Sequence, residues 1–229
     1  MAQTVAGVVP FTSIDFPGCL ATVIFFQGCP LRCPFCHNPN LQPIKADTGQ
    51  SWDEIMAFLR TRKKLLDGVV LSGGEPLMQP DIADILNQIK TLGFKTAVHT
   101  SGVYPKKLKS VLPLLDWVGL DIKAPWNKYD VLSGRKNVAE QVKETLKILT
   151  QSNVAFECRT TCDPNYLTPD DILKIAEDLK KAGVKTYALQ KYHTFPEDKN
   201  PPSVMAIESF FTDDLLNSVK TNYPTLIIR

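Results

Sequence analysis

The chain has 229 residues, 44% of them apolar, and its formal net charge is +2 at pH 7. This near-neutral charge predicts no nucleic-acid or membrane-surface partner, and no apolar run is long enough to form a transmembrane helix. Six cysteines in a chain of this length do not indicate a disulfide scaffold, so we expect a reducing, cytoplasmic location.

Six nearly continuous apolar runs are typical of parallel strands that are buried on both faces. In chain order, the predicted strands are 21–27, 68–72, 95–100, 117–123, 154–160 and 185–190. Segments with helical periodicity lie between them. Ser51–Glu54 forms a capping box, an apolar stripe from Ile82 to Leu92 ends at Gly93, and Thr168-Pro169 begins another helix. Pro105 begins a shorter helix, and the stripe from Val138 to Leu149 forms one more.

Alternating strands and helices with right-handed crossovers predict an α/β fold with a parallel sheet and outer helices. Eight units would close a TIM barrel, so six units predict an incomplete (β/α)6 TIM-like barrel that is open on one side. We predict a single domain over 1–229. It divides into an N-terminal extension (1–20), six strand–helix units (21–191) and a C-terminal extension (192–229).

A cysteine motif follows the first predicted strand, with Cys29, Cys33 and Cys36 at C-x3-C-x2-C spacing. A four-iron cluster usually takes four thiolates, so three thiolates leave one iron open to a substrate or cofactor. Three other interpretations remain open: a thioredoxin-like redox pair, a c-type haem site ending in His37, and a zinc site. The other cysteines, Cys19, Cys158 and Cys162, are predicted to be small buried apolar residues.

Unusual residues also follow the other predicted strands, where the chemistry of such barrels is found. The segment after the second strand, Gly73-Gly74-Glu75-Pro76, permits close approach of the backbone to a ligand, although an ordinary turn is the simpler interpretation. Asp121 and Lys123 share one face of their strand, as either a site for a zwitterion or a structural ion pair. The remaining polar positions are His99-Thr100-Ser101-Gly102, Arg159 and Tyr192-His193.

Each of the remaining residues also has two interpretations. Arg159 suits a carboxylate or a ribose, or forms a surface salt bridge. His193 either contacts an adenosine or is a solvated loop histidine. His99 is interpreted as a core histidine with satisfied hydrogen bonds.

Three segments together resemble the radical S-adenosylmethionine (SAM) enzymes, and within them the activating enzymes of glycyl radical enzymes. They are Gly7–Gly18, the cysteine motif with His37-Asn38-Pro39, and Leu71–Leu77. Within that group, they most resemble the activating proteins of anaerobic ribonucleoside-triphosphate reductase. The resemblance implies one [4Fe-4S] cluster on Cys29, Cys33 and Cys36, with SAM bound to the fourth iron.

The resemblance also implies the reaction and the residues that bind SAM. Reductive cleavage of SAM would give a 5′-deoxyadenosyl radical that abstracts hydrogen from a glycine of a partner enzyme. The remaining contacts with SAM are expected from Phe35, Cys36, His37, Gly73, Gly74, Glu75, Thr100, Ser101, Asp121, Lys123, Arg159 and His193. An electron donor such as flavodoxin is expected.

The sequence departs from the pattern of the activases that it resembles at His99, where they have an aspartate that in some helps to bind a monovalent cation. The stretch 41–50 lacks the extra cysteine clusters that some relatives insert, so one cluster is expected. Two further functions stay open: a radical SAM enzyme acting on a small molecule or on another glycyl radical enzyme, and a zinc or redox cysteine module.

Overall fold

The computed structural model describes residues 5–45, 49–194, 198 and 200–229. Residues 1–4 of the predicted N-terminal extension, and 195–197 and 199 of the C-terminal one, lie outside this range. Within it, eight strands form one sheet, in which strand order follows chain order. The first strand is antiparallel to the second, and every later neighbour pair is parallel.

The six predicted strands are all present, with ends that differ by a few residues from the predicted ones. They are β2 (Ala21–Phe26), β3 (Gly68–Gly73), β4 (Lys95–Thr100), β5 (Trp117–Asp121), β6 (Ala155–Cys162) and β7 (Tyr187–Lys191). Two strands in the predicted extensions were not expected. They are β1 (Val5–Thr12) and β8 (Ile227–Ile228), which lie at the two edges of the sheet.

Helices cover the outer face of the sheet. They are α1 (Trp52–Arg62), α2 (Ile82–Thr91), α3 (Pro105–Val111), α4 (Tyr129–Ser133), α5 (Val138–Thr150), α6 (Pro169–Lys181), α7 (Val204–Phe210) and α8 (Asp213–Asn222). The capping box predicted at Ser51–Glu54 is present, and Thr168 forms a second one with Asp171. Of these helices, α4, α7 and α8 were not predicted. No helix within the described ranges is both long and apolar enough to cross a lipid bilayer.

Two apolar clusters form the core. The larger one fills the space between the sheet and the helices, and the smaller one, which includes Phe16, Val70 and Trp117, lies inside the curved sheet. The smaller cluster occupies the inner positions at the start and middle of the strands. Cys19, Cys158 and Cys162 are all buried, as predicted.

An ion pair fixes the edge that β8 forms. Glu157 on β6 is 1% exposed, and its carboxylate contacts the Arg229 guanidinium at 3.0 Å through each oxygen. We predict that Arg229→Ala lowers the free energy of unfolding by about 2–3 kcal/mol, because it leaves a buried carboxylate unpaired. Urea denaturation measures the change.

The matched control is Lys181→Ala, which removes an exposed ion pair with Glu177 and should cost about 0–1 kcal/mol. Equal losses in the two variants would show that the Glu157–Arg229 pair does not stabilise this edge.

Candidate active site

The loop that carries the three cysteines follows β2 and is fixed by backbone hydrogen bonds. The Gly28 N–H donates to the Leu41 carbonyl at 2.9 Å, and the Cys29 N–H donates to the Gln42 carbonyl at 3.1 Å. All three cysteines line one cavity of about 290 Å³ at the carboxyl ends of the strands. The structure therefore brings the motif to the place where the fold positions its chemistry.

The thiols of this loop are partly withdrawn from water. Burial raises the pKa of Cys29 to about 11, and burial also raises the pKa of Cys33. The Lys123 ammonium opposes both shifts. The thiols of Cys29 and Cys33 are thus protonated at neutral pH, and a metal that binds them must displace these protons.

The turn after β3 lies directly against the cysteine loop. Gly73 has a φ of +119°, and a Cβ on it would lie 2.3 Å from backbone atoms of Phe26. A Cβ on Gly74 would lie 2.1 Å from the Gly28 carbonyl oxygen. Backbone hydrogen bonds from Gly74 to Phe26 (2.9 Å) and from Glu75 to Gly28 (2.8 Å) join the two segments. Only glycine fits here, so the simpler interpretation as an ordinary turn does not account for the pair.

Glu75 lies behind the cavity wall rather than in it. Its side chain is fully buried and accepts hydrogen bonds from the Thr100 hydroxyl (2.8 Å), the Ser101 N–H (2.8 Å) and hydroxyl, and the Leu77 N–H (3.1 Å). Burial raises the pKa of Glu75, and these hydrogen bonds oppose the shift. Glu75 and Thr100 are absent from the cavity lining, whereas Ser101 is part of it. Their role in the structure is to fix the end of β4.

The cavity floor carries a connected set of charges. Arg159 donates to the Asp121 carboxylate from Nε (3.2 Å) and Nη2 (2.9 Å), and the Lys123 ammonium lies 3.6 Å from the same carboxylate. Burial acts to raise the pKa of Asp121, but the two cations outweigh it and hold the pKa below its usual range. Arg159 is 5% exposed, so it is not a surface salt bridge. Two cations and one anion leave the floor with a net positive charge.

His99 is a neutral member of this set. Burial, aided by the nearby Arg159 guanidinium, lowers its pKa to about 3. Its Nε2 lies 2.9 Å from the Asp15 carbonyl oxygen and 3.2 Å from Arg159 Nη1. In the tautomer with a proton on Nε2, His99 donates to the Asp15 carbonyl; in the other tautomer, Nε2 accepts from the Arg159 guanidinium. Each tautomer therefore makes one of the two hydrogen bonds. The prediction of a core histidine is therefore incomplete, because His99 also lines the cavity.

The segment Phe35–His37, whose backbone the family resemblance implies would contact adenine, lies at the cavity. Phe35, Cys36 and His37 all line it. Burial lowers the pKa of His37, and the His37 ring lies 5.1 Å from the ring of Tyr192. His193 is exposed and does not line the cavity, but its charge contributes to the lowered pKa of His37. The structure thus places His193 beside the site and not in its wall.

Several residues that line the cavity were not predicted from the sequence. Ser72 lies two positions before Gly74, and Thr161 lies two positions after Arg159. Because alternate residues of a strand face the same side, strand alternation predicts that both side chains face the cavity. Gln190 on β7 and Asp15 in the loop after β1 also line the cavity. These residues are of ordinary types, and no spacing in the sequence identifies them.

The alternative of a single zinc ion requires ligands that converge on one point. Over the residues that the structure describes, no group of three or more His, Cys, Asp or Glu side chains does so. In an iron–sulfur cluster each thiolate binds a different iron, so its ligands are spread around the cluster. Three soft thiolate donors around one cavity fit that requirement.

Comparison with known proteins matches this geometry to a family. The model of the radical SAM superfamily matches residues 23–162. A Methanocaldococcus jannaschii protein described as a glycyl-radical enzyme activating enzyme is 33% identical over 86% of this chain and 82% of its own. The pyruvate formate-lyase-activating enzyme of Clostridium pasteurianum is 32% identical over 81% of this chain and 80% of its own.

Solved structures share the fold at low sequence identity. Escherichia coli QueE has a TM-score of 0.59 and 17% identity, over 100% of this chain and 94% of its own. Streptococcus suis SuiB, in a structure bound to S-adenosylmethionine, has a TM-score of 0.68 and 15% identity over 90% of this chain. This chain spans 51% of SuiB.

The open parallel barrel, the cysteine loop and the glycine turn of this chain agree with these matches. The cofactors of the family are a [4Fe-4S] cluster and SAM. The chain belongs to the radical SAM superfamily and, within it, to the glycyl-radical-enzyme activating enzymes.

Proposed function

We propose that this protein abstracts a hydrogen atom from a glycine of a partner enzyme, and that the partner is an anaerobic ribonucleotide reductase. The observation that carries the proposal is one cavity lined by the three thiols, the glycine turn and the charged floor. The choice of partner is supported by the resemblance of Gly7–Gly18 and the cysteine motif to activating proteins of that reductase. Pyruvate formate-lyase is the second candidate partner, because a relative that is 32% identical is named as its activating enzyme.

In this proposal, Cys29, Cys33 and Cys36 hold the cluster. When bound, the cluster and SAM supply the electron transfer and the carbon radical that remove the hydrogen atom. The protein contributes thiolates at fixed positions, because hydrogen bonds to Leu41 and Gln42 hold the loop. The Lys123 ammonium favours the thiolate forms of Cys29 and Cys33.

SAM carries an amino group and a carboxylate, and the cavity offers a partner for each. Gly73 and Gly74 line the cavity, so their backbone is within reach of a ligand bound there. We assign Asp121 to the amino group and Lys123 to the carboxylate, with Arg159 holding Asp121 ionised. Phe35, Cys36 and His37 line the cavity where adenine would bind. Ser101 contacts the ligand and is fixed by Glu75 and Thr100, while His193 lies beside the adenine end.

The substrate glycine belongs to a protein, so a loop of that protein must reach the cavity. The sheet does not close, because β1 and β8 are its edges. This open side suits entry of a polypeptide loop. An electron donor such as flavodoxin would reduce the cluster, and a cytoplasmic location suits the free state of all six cysteines.

The assignment of the cluster ligands predicts a selective loss of iron. Reconstituted protein should bind about four irons. Substitution of Cys29, Cys33 or Cys36 by alanine should abolish the cluster absorbance and the bound iron, because a lost thiolate cannot be replaced by the other two. Iron and sulfide analysis measures both.

Cys158→Ala is the control, because Cys158 is fully buried and outside the cavity. Loss of iron from a folded Cys158→Ala protein would contradict the assignment of the ligands.

The assignment of Lys123 predicts weaker binding of SAM. Lys123→Met should raise the dissociation constant about 10–100-fold, because it removes one charged hydrogen-bonding partner. The protein should still bind about four irons, because the three cysteine ligands remain. Calorimetric titration of the reconstituted protein with SAM measures the affinity.

Lys90→Met is the matched control, because Lys90 pairs with Asp116 outside the cavity. An unchanged affinity in Lys123→Met would refute the role of Lys123.

The proposed reaction predicts a radical on the partner. Reduced protein, SAM and an anaerobic ribonucleotide reductase, mixed without oxygen, should give the doublet of a glycyl radical in electron paramagnetic resonance. A parallel mixture with pyruvate formate-lyase identifies the partner. If neither enzyme acquires a radical and a small molecule instead drives stoichiometric release of 5′-deoxyadenosine, the small-molecule alternative replaces the proposal.

A further inference from the structure

The short helix α4 lies between the cysteine loop and the end of β5. At its carboxyl end, the Ser133 carbonyl accepts a hydrogen bond of 2.9 Å from the Arg32 N–H, within the cysteine loop. The next residue, Gly134, has a φ of +68°, and a Cβ there would lie 3.0 Å from the Arg32 side chain. At its amino end, α4 presents Tyr129 to the end of β5. One helix thus contacts both the cysteine loop and the strand that carries the charged floor.

The Tyr129 hydroxyl binds two backbone groups at the end of β5. It donates to the Asp121 carbonyl at 3.1 Å and accepts from the Lys123 N–H at 3.2 Å. The hydroxyl therefore connects, through the main chain, the two residues whose side chains form the floor.

The backbone of Asp121 and Lys123 needs a hydrogen-bonding partner because β4 ends before it reaches these two residues. The last residue pair between β4 and β5 is Thr100 with Leu120. On the other side, β6 still pairs, since the Ile122 N–H donates to the Arg159 carbonyl at 2.7 Å. Buried backbone groups are nearly always hydrogen-bonded, and beyond Thr100 the side toward β4 offers no strand to do this. The Tyr129 hydroxyl takes the place of the missing strand.

The hydroxyl is held rigidly. Tyr129 is fully buried, and its ring stacks on Trp126 with centroids 5.6 Å apart and planes 22° apart. A group fixed in this way determines where the Lys123 backbone lies. It therefore helps to determine where the ammonium lies relative to Asp121, from which it is 3.6 Å away.

We propose that Tyr129 is a positioning residue for SAM: its hydroxyl fixes the backbone of Asp121 and Lys123, so that their side chains meet the amino-acid end of the ligand. This proposal rests on the proposed roles of Asp121 and Lys123 and is independent of which enzyme is the partner. Tyr129 does not line the cavity, so it would act on a ligand there only through Asp121 and Lys123.

The test is the affinity of the reconstituted protein for SAM, measured by calorimetry in the absence of any partner enzyme. Tyr129→Phe should raise the dissociation constant about three- to tenfold, because the ring stays but the two backbone groups lose their partner. Bound iron should not change, because the bond between Arg32 and Ser133 is made by backbone atoms. Tyr129→4-aminophenylalanine, which keeps a donor toward the Asp121 carbonyl, should give an intermediate value.

Tyr187→Phe is the matched control. Tyr187 is also fully buried, and its hydroxyl donates to the Thr160 hydroxyl at 2.9 Å, away from the cavity. It should lose stability in the same way as Tyr129→Phe, with no change in the affinity for SAM. An equal loss of affinity in Tyr187→Phe would show that the effect of Tyr129 is only structural.

A double-mutant cycle separates the two proposals. Tyr129→Phe should have a smaller effect on affinity in the Lys123→Met background than in the wild-type protein, because one of the two side chains that it positions is gone. The same fold-change in both backgrounds would overturn the role of Tyr129 and leave that of Lys123 intact. An unchanged affinity in Lys123→Met alone would overturn both. If neither Tyr129 variant folds while Tyr187→Phe does, the hydroxyl is a requirement for folding and the proposal is wrong.

Discussion

The close approach of the β3 turn to the cysteine loop is the constraint on which the rest of the site depends. Gly74 leaves no room for a side chain, since a Cβ would lie 2.1 Å from the Gly28 carbonyl oxygen. This contact requires two neighbouring parallel strands that end together, and Phe26 pairs with Gly73 at that point. The cysteine loop and the glycine turn, which both line the cavity, are held together there by direct backbone contact.

The second requirement is that acidic and basic side chains stay ionised inside the barrel. Arg159 is almost fully buried, and such a cation is costly unless it is paired and hydrogen-bonded. Asp121 supplies the partner, and its pKa stays low because two cations surround it. The same arrangement that makes the buried charges tolerable also leaves a polar floor suited to a zwitterion.

Much of the fold can be predicted from the sequence, because six buried strands leave continuous apolar runs and helices such as α6 begin with clear caps. The strand β1 was missed because Gly7 and Pro10 interrupt its pattern and its register shifts against β2. The strand β8 has two residues and α4 has five, which is too short for any periodicity to appear. Such short elements are determined by tertiary contacts, as the hydrogen bonds of Tyr129 illustrate.

The candidate site was predictable where its chemistry needs unusual residues. The three cysteines and the glycine pair are rare in their spacing, and the structure brings them to one cavity. Glu75 was predicted as a contact residue, but its location behind the wall depends on the path of β4. Strand alternation indicates Ser72 and Thr161, whereas Gln190 and Asp15 are of ordinary types that no spacing in the sequence identifies.

The central claim is that three thiolates of this chain hold a four-iron cluster and leave one iron for SAM. Mössbauer spectroscopy of protein reconstituted with ⁵⁷Fe, with and without SAM, tests it most directly. The account predicts that SAM changes the signal of one iron of the cluster, because that iron has no protein thiolate. A spectrum in which SAM changes no iron signal would contradict it.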